Sequence, residues 1–172
     1  MDDPSPLTST EAVLWMIERD PALRSTIMAV AVLDGHVDFD RLHERIGQAS
    51  QAFPRLRQCV TRTRRGVLCW GDAPDWDVDQ HFTHLRLPTP GAMRQLLDLA
   101  GEQAGEAFDP ARPLWHLTLF DGVEGDQSAL VVKMHHSMTD GVGGVGLMWL
   151  FTDPTPHPQS PSDVAPFNGR AP

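Results

Sequence analysis

The stretch 113–141 constrains this chain most. Two dense apolar runs, 113–120 and 130–134, flank an Asp121-Gly122 turn signal, the grammar of two well-buried strands joined by a turn. The second run leads directly into His135-His136-Ser137-Met138-Thr139-Asp140-Gly141. A histidine pair is therefore expected at a strand terminus, where a rigid scaffold commonly presents catalytic groups. Asp140 and Gly141 read as the start of the next helix. A glycine there lets the backbone turn sharply and come close to a substrate.

The rest of the chain alternates helix and strand signals. Thr8 and Glu11 have capping-box spacing, and Ala12, Trp15 and Met16 repeat at helical intervals, predicting a helix over 10–19. The run 27–33 ending at Asp34-Gly35 reads as a strand and turn, and Asp38 as the cap of a helix that Pro54 ends. A hairpin is expected from 57–61 and 67–70, then a strand reaching Leu87. A helix over 91–107 follows, with Met93, Leu96, Leu97 and Ala100 on one face. A last helix is expected over 142–151. This order predicts an α/β (α+β layered) domain over 1–151, a mixed sheet flanked by helices. From 152 to 172 the spaced prolines Pro154, Pro156, Pro158, Pro161, Pro166 and Pro172 read as a linker.

Composition narrows the partners. With 41% hydrophobic residues in 172, the chain can bury one sizeable core. Its 14 Lys and Arg against 23 Asp and Glu give a net charge of -9, which repels phosphate backbones and excludes nucleic acid as an expected partner. The short basic run 62–65 reads as a solvated turn. The acidic start Met1-Asp2-Asp3-Pro4 lacks the features of a signal peptide, so a cytoplasmic location is expected. Cys59 and Cys69, placed as cross-strand neighbours, should then be reduced thiols. The apolar run 27–33 is far shorter than the roughly 20 residues of a spanning helix, leaving only peripheral membrane contact.

The histidine pair has two readings. Imidazole titrates near neutrality, and can take a hydroxyl proton and return it within one cycle. It can equally be a hydrogen-bonded core residue. Neighbours on a strand point to opposite faces, so at most one of His135 and His136 can face a substrate. No third ligand is suitably spaced for zinc, and none of Gly141, Gly143, Gly144 or Gly146 is followed by the Lys-Ser/Thr of a phosphate loop.

The signature resembles that of the CoA-dependent acyltransferases, a superfamily that includes chloramphenicol acetyltransferase and the condensation domains of nonribosomal peptide synthetases. Within it the bacterial wax ester synthase/diacylglycerol acyltransferase family matches best. Leu7-Thr8-Ser9-Thr10-Glu11-Ala12 through Glu18, Pro113-Leu114-Trp115 after Phe108-Asp109, and Phe167-Asn168-Gly169 carry the same resemblance. It implies a chloramphenicol acetyltransferase-like half-fold, with 152–172 leading to a C-terminal half, fused or on a separate chain. The implied reaction moves a long-chain acyl group from acyl-CoA, as co-substrate, to diacylglycerol or a fatty alcohol, with no resident cofactor or metal. His136 is the implied general base, His135 its supporting neighbour and Asp140 a shaping salt-bridge partner. Ser137 and Gly141 are implied at the substrate, and Pro113, Leu114 and Trp115 as structural. Apolar substrates also imply contact with a membrane or lipid droplet. A related polyketide or peptide acyltransferase, and a non-catalytic module binding a partner or lipid surface, are the alternatives.

Overall fold

Thr8 caps the first helix as its spacing from Glu11 requires. The Glu11 N–H donates to Thr8 Oγ1 at 3.3 Å, and the Thr8 N–H to Glu11 Oε2 at 2.6 Å. The computed structural model describes residues 5–139 and Phe151. Asp140, Gly141, the linker 152–172 and, apart from Phe151, the expected last helix lie outside the described residues.

In chain order the elements are β1 (Ser5–Pro6), α1 (Ser9–Ile17), β2 (Thr26–Leu33), α2 (Phe39–Ala52), β3 (Gln58–Arg62) and β4 (Leu68–Asp72). Then come β5 (Phe82–Arg86), α3 (Met93–Gly105), β6 (Trp115–Val123) and β7 (Gln127–His135). Asp38 caps α2, its carboxylate accepting the Arg41 N–H at 3.1 Å.

The sheet is mixed, as expected, and ordered β2-β7-β6-β5, with β5 parallel to β6 and the other pairs antiparallel. The expected hairpin forms, but not as part of that sheet. β3 and β4 join β1 in a separate three-stranded sheet. Its Cys59 and Cys69 are both buried and free, facing Gly71 and Thr61 rather than each other.

The main sheet packs on both sides. Leu42, Ile46 and Ala49 of α2 share a core with Trp115, Leu117, Leu119, Leu130, Val132 and Met134. Leu96 and Ala100 of α3 share another with Phe120, Val123, Ala129 and Val131. Leu97, expected on the same buried face, is 50% exposed. It lies a 100° step beyond Leu96, outside the narrow stripe that α3 presents to the sheet.

Gly91 sets where α3 starts. Its φ is +74°, and a Cβ there would fall 2.0 Å from the Gly122 carbonyl oxygen. The Gly91 carbonyl accepts the Glu124 N–H at 2.8 Å, fastening the β6–β7 turn beneath the helix.

Candidate active site

The two signature histidines are placed very differently. β7 ends at His135, whose N–H donates to the Leu114 carbonyl at 2.9 Å, and the side chain is fully buried. His136 follows the strand with an exposed side chain. Its N–H donates to the Ser25 carbonyl at 2.8 Å, so its backbone is fixed while its imidazole is open. Among the described residues that imidazole has no hydrogen-bond partner.

The contacts of His135 determine its tautomer. The Ser137 N–H can only donate, and it lies 3.0 Å from His135 Nδ1, which is therefore the acceptor. The ring proton sits on Nε2 and is donated to Glu18 Oε2 at 3.1 Å. Ser137 Oγ is 2.7 Å from Nδ1. Trp15 and Phe108 meet the ring edge-on at 6.3 and 5.9 Å. Burial pushes the His135 pKa down, and the raising influence of Glu18 does not offset it. His135 is thus a neutral, fully engaged group.

Glu18 ties three elements together. It caps the end of α1, and Oε2 also accepts the Ser25 N–H at 3.1 Å, the residue whose carbonyl holds His136. Its other oxygen, Oε1, is buried with no partner among the described residues. Sequence reasoning used Glu18 only as the end of a matching segment. One signal was available: an acidic residue at a helix C-terminus opposes the helix dipole and calls for a tertiary partner.

Behind His135, on the α3 side of the sheet, Lys133 is buried. Its Nζ donates to the Glu106 carbonyl at 2.9 Å and lies 4.6 Å from the Phe108 ring centre. Burial lowers the Lys133 pKa, against the raising influence of Glu106 and Glu18. Neither Lys133 nor Phe108 was singled out from sequence as a site residue: Lys133 shares a face of β7 with His135, but Phe108 reaches them only because the segment after α3 folds back.

The other expected site residues take distinct places. Ser137 is buried, and both its N–H and its hydroxyl face His135. Leu114 and Trp115 are buried at the start of β6, with Trp115 Nε1 donating to the Leu56 carbonyl at 2.8 Å. Pro113 lines a cleft of about 230 Å³ beside them. Asp140 and Gly141 lie outside the described residues. Among those residues no helix is long and apolar enough to cross a membrane.

Residues 7–170 match the model of the wax ester synthase/diacylglycerol acyltransferase catalytic domain. The chain belongs to this family. A Mycobacterium tuberculosis protein named as a diacylglycerol O-acyltransferase is 37% identical over 153 residues, covering 86% of this chain and 31% of that protein. The O-acyltransferase WSD of Acinetobacter baylyi is 40% identical over 81 residues, 47% of this chain and 18% of that protein. Among solved structures, the wax ester synthase/diacylglycerol acyltransferase from Marinobacter aquaeolei VT8 superposes with a TM-score of 0.64 at 25% identity. That match covers 82% of this chain and 36% of the solved one. The starter condensation domain of rhizomide synthetase RzmA shares the fold, with a TM-score of 0.74 at 15% identity over 87% of this chain and 36% of that one. The chain thus spans about a third of the length of the Mycobacterium tuberculosis and Marinobacter aquaeolei relatives.

Proposed function

We propose that this chain carries the general base of an O-acyltransferase that moves a long-chain acyl group from acyl-CoA to diacylglycerol or a fatty alcohol. The observation behind this is the contrast at the end of β7: a buried neutral His135 beside an exposed His136 with a fixed backbone. The relatives' names supply the chemistry that such a base would serve.

His136 takes the proton of the acceptor hydroxyl as its oxygen attacks the thioester carbonyl. The tetrahedral intermediate collapses, the C–S bond breaks, and the imidazolium returns the proton to the departing thiolate. The products are an ester and free CoA, and no enzyme nucleophile or resident cofactor is needed. Acyl-CoA as donor fits the C8-CoA complex known for a mutant of the RzmA domain. His135 and Glu18 position His136 through the strand end, Asp140 shapes the site, and Gly141 lets substrate approach.

On this reading residues 1–151 form one wall of the site, and a C-terminal half, fused or separate, completes it through the 152–172 linker. The acceptors are apolar, so the enzyme works at a membrane or lipid-droplet surface from the cytoplasmic side.

The test is His136→Ala, assayed for CoA release and ester formation with palmitoyl-CoA and either acceptor. Loss of turnover by about 10²- to 10⁴-fold is expected, with folding unchanged. Undiminished turnover would exclude His136 as the base. Retained lipid binding with no turnover even in the unaltered protein would favour an interaction module.

A further inference from the structure

Of the 14 Lys and Arg residues in this chain, one alone is a lysine, and it is buried. Lys133 lies on β7 two residues before His135, so the two side chains leave the strand on the same face. It is 6% exposed, and in the pairing register it stands between His116 on β6 and Met28 on β2. Stability does not account for it. Burial strips an ammonium of its hydration, which is why the Lys133 pKa is lowered, and an apolar side chain of the same length would fill the space without that penalty.

The ammonium holds the end of a helix. α3 closes at Gly105 with Glu106 as its C-cap, and the last carbonyls of a helix have no partner within it. Lys133 Nζ donates to the Glu106 carbonyl at 2.9 Å. The carbonyl one residue earlier, that of Gly105, accepts from Arg24 Nη1. Two cations from separate segments thus grip adjacent carbonyls where the helix dipole is negative. They repel each other, and the carboxylates of Glu106 and Glu18 act against that repulsion.

Both cations stand beside what supports the histidine pair. Arg24 precedes Ser25, whose carbonyl accepts the His136 N–H. Lys133 lies over the Phe108 ring at 4.6 Å, and Phe108 meets the His135 ring edge-on at 5.9 Å. The pairing of β2 with β7 begins at Thr26 and His135, so Arg24 and Lys133 tie both strands, at the end where His136 emerges, to one point on α3. We infer that the C-terminus of α3 anchors this strand end, and that Lys133 is a positioning residue that sets where the His136 imidazole stands. A neutral donor would satisfy the Glu106 carbonyl. The cation also interacts with the helix dipole and with the face of Phe108, which keeps that ring against His135. The kinetic consequence rests on the acyl-transfer reading, and the anchor itself does not.

The test is Lys133→Met, which keeps an unbranched side chain and removes the charge and the donor. Exchange of the His136 N–H with deuterium should quicken roughly tenfold or more, as for a local opening of the strand end, while the Leu117 and Leu119 amides in the middle of β6 keep their rates. With palmitoyl-CoA and 1-hexadecanol, kcat should fall roughly ten- to hundredfold, and both KM values should stay unchanged. An unmoved His136 amide would overturn the inference. So would equal quickening at His136, Leu117 and Leu119, the mark of a general loss of stability, or a rise in KM with kcat retained, which would give Lys133 a substrate contact instead. If Lys133→Met does not fold, Arg24→Met reads the same anchor from the β2 side, by the same amides and the same criteria. If unaltered enzyme releases no CoA with this pair of substrates or with diacylglycerol, the acyl-transfer reading fails, and the exchange measurement alone decides the anchor.

Discussion

The two faces of the main sheet are made from the same two strands and have opposite chemistry. Towards α2 the facing pairs of β6 and β7 are Trp115 with Met134, Leu117 with Val132 and Leu119 with Leu130. Towards α3 they grade from Phe120 with Ala129, through Thr118 with Val131, to His116 with Lys133. His135 lies one step further along β7. A slip of one residue would exchange the faces and bury Lys133 and His116 against α2, so the apolar side fixes the register in which the polar side assembles. One face stabilises the sheet, and the other places groups at its end.

The largest expected effect that would break this division is on the α2 side. Leu119→Ala should lower unfolding stability by about 2–5 kcal/mol, read from chemical denaturation, with the folded fraction keeping its specific activity. A loss of specific activity would mean that the faces are not separable. Glu18→Gln should cost less, about 1–3 kcal/mol, because the amide oxygen can take the Oε2 place but the NH2 is then buried at the Oε1 position and the charge that both N–H groups meet is lost. If Glu18 positions His136 through the strand end, as proposed, kcat should fall more than KM changes.

Acidification addresses the polar face as a whole. Burial keeps His81, His116 and His135 neutral in the folded protein. Below about pH 6.5 the unfolded chain gains protons that the folded chain refuses. Stability should therefore be full above that pH and fall beneath it, by up to about 1.4 kcal/mol per site per pH unit until each folded-state pKa is reached. Denaturation midpoints at pH 7.5 and 5.5 would show this, and a flat profile would mean that nearby carboxylates balance the burial of all three rings. The smallest effect should come from Leu97→Lys on the outer flank of α3, within about 0.5 kcal/mol in either direction.

Local chemistry made much of the fold legible. Thr8 with Glu11, Asp38, and the apolar runs around Asp121-Gly122 each announce their element through neighbours a few residues away. The signature was equally readable, because the end of an apolar run marks the end of a strand. What escaped depends on distant partners. The separation of β3 and β4 into their own sheet turns on a pairing with two residues near the N-terminus. The different settings of His135 and His136 depend on Glu18 and Ser25, which no periodicity connects to β7.

The bond between Glu18 and His135 spans 117 residues of chain. A ribosome adding 5–20 residues per second would emit the acid roughly 6–23 s before its imidazole partner. Throughout that interval the first helix carries a carboxylate and an indole, Trp15, whose binding site has not yet been synthesised. The end of β7 is therefore the last strand of the described fold to be made and the part that completes the contacts of the first helix. Any extension or partner that captures α1 early would act on the future site before a single atom of the signature exists.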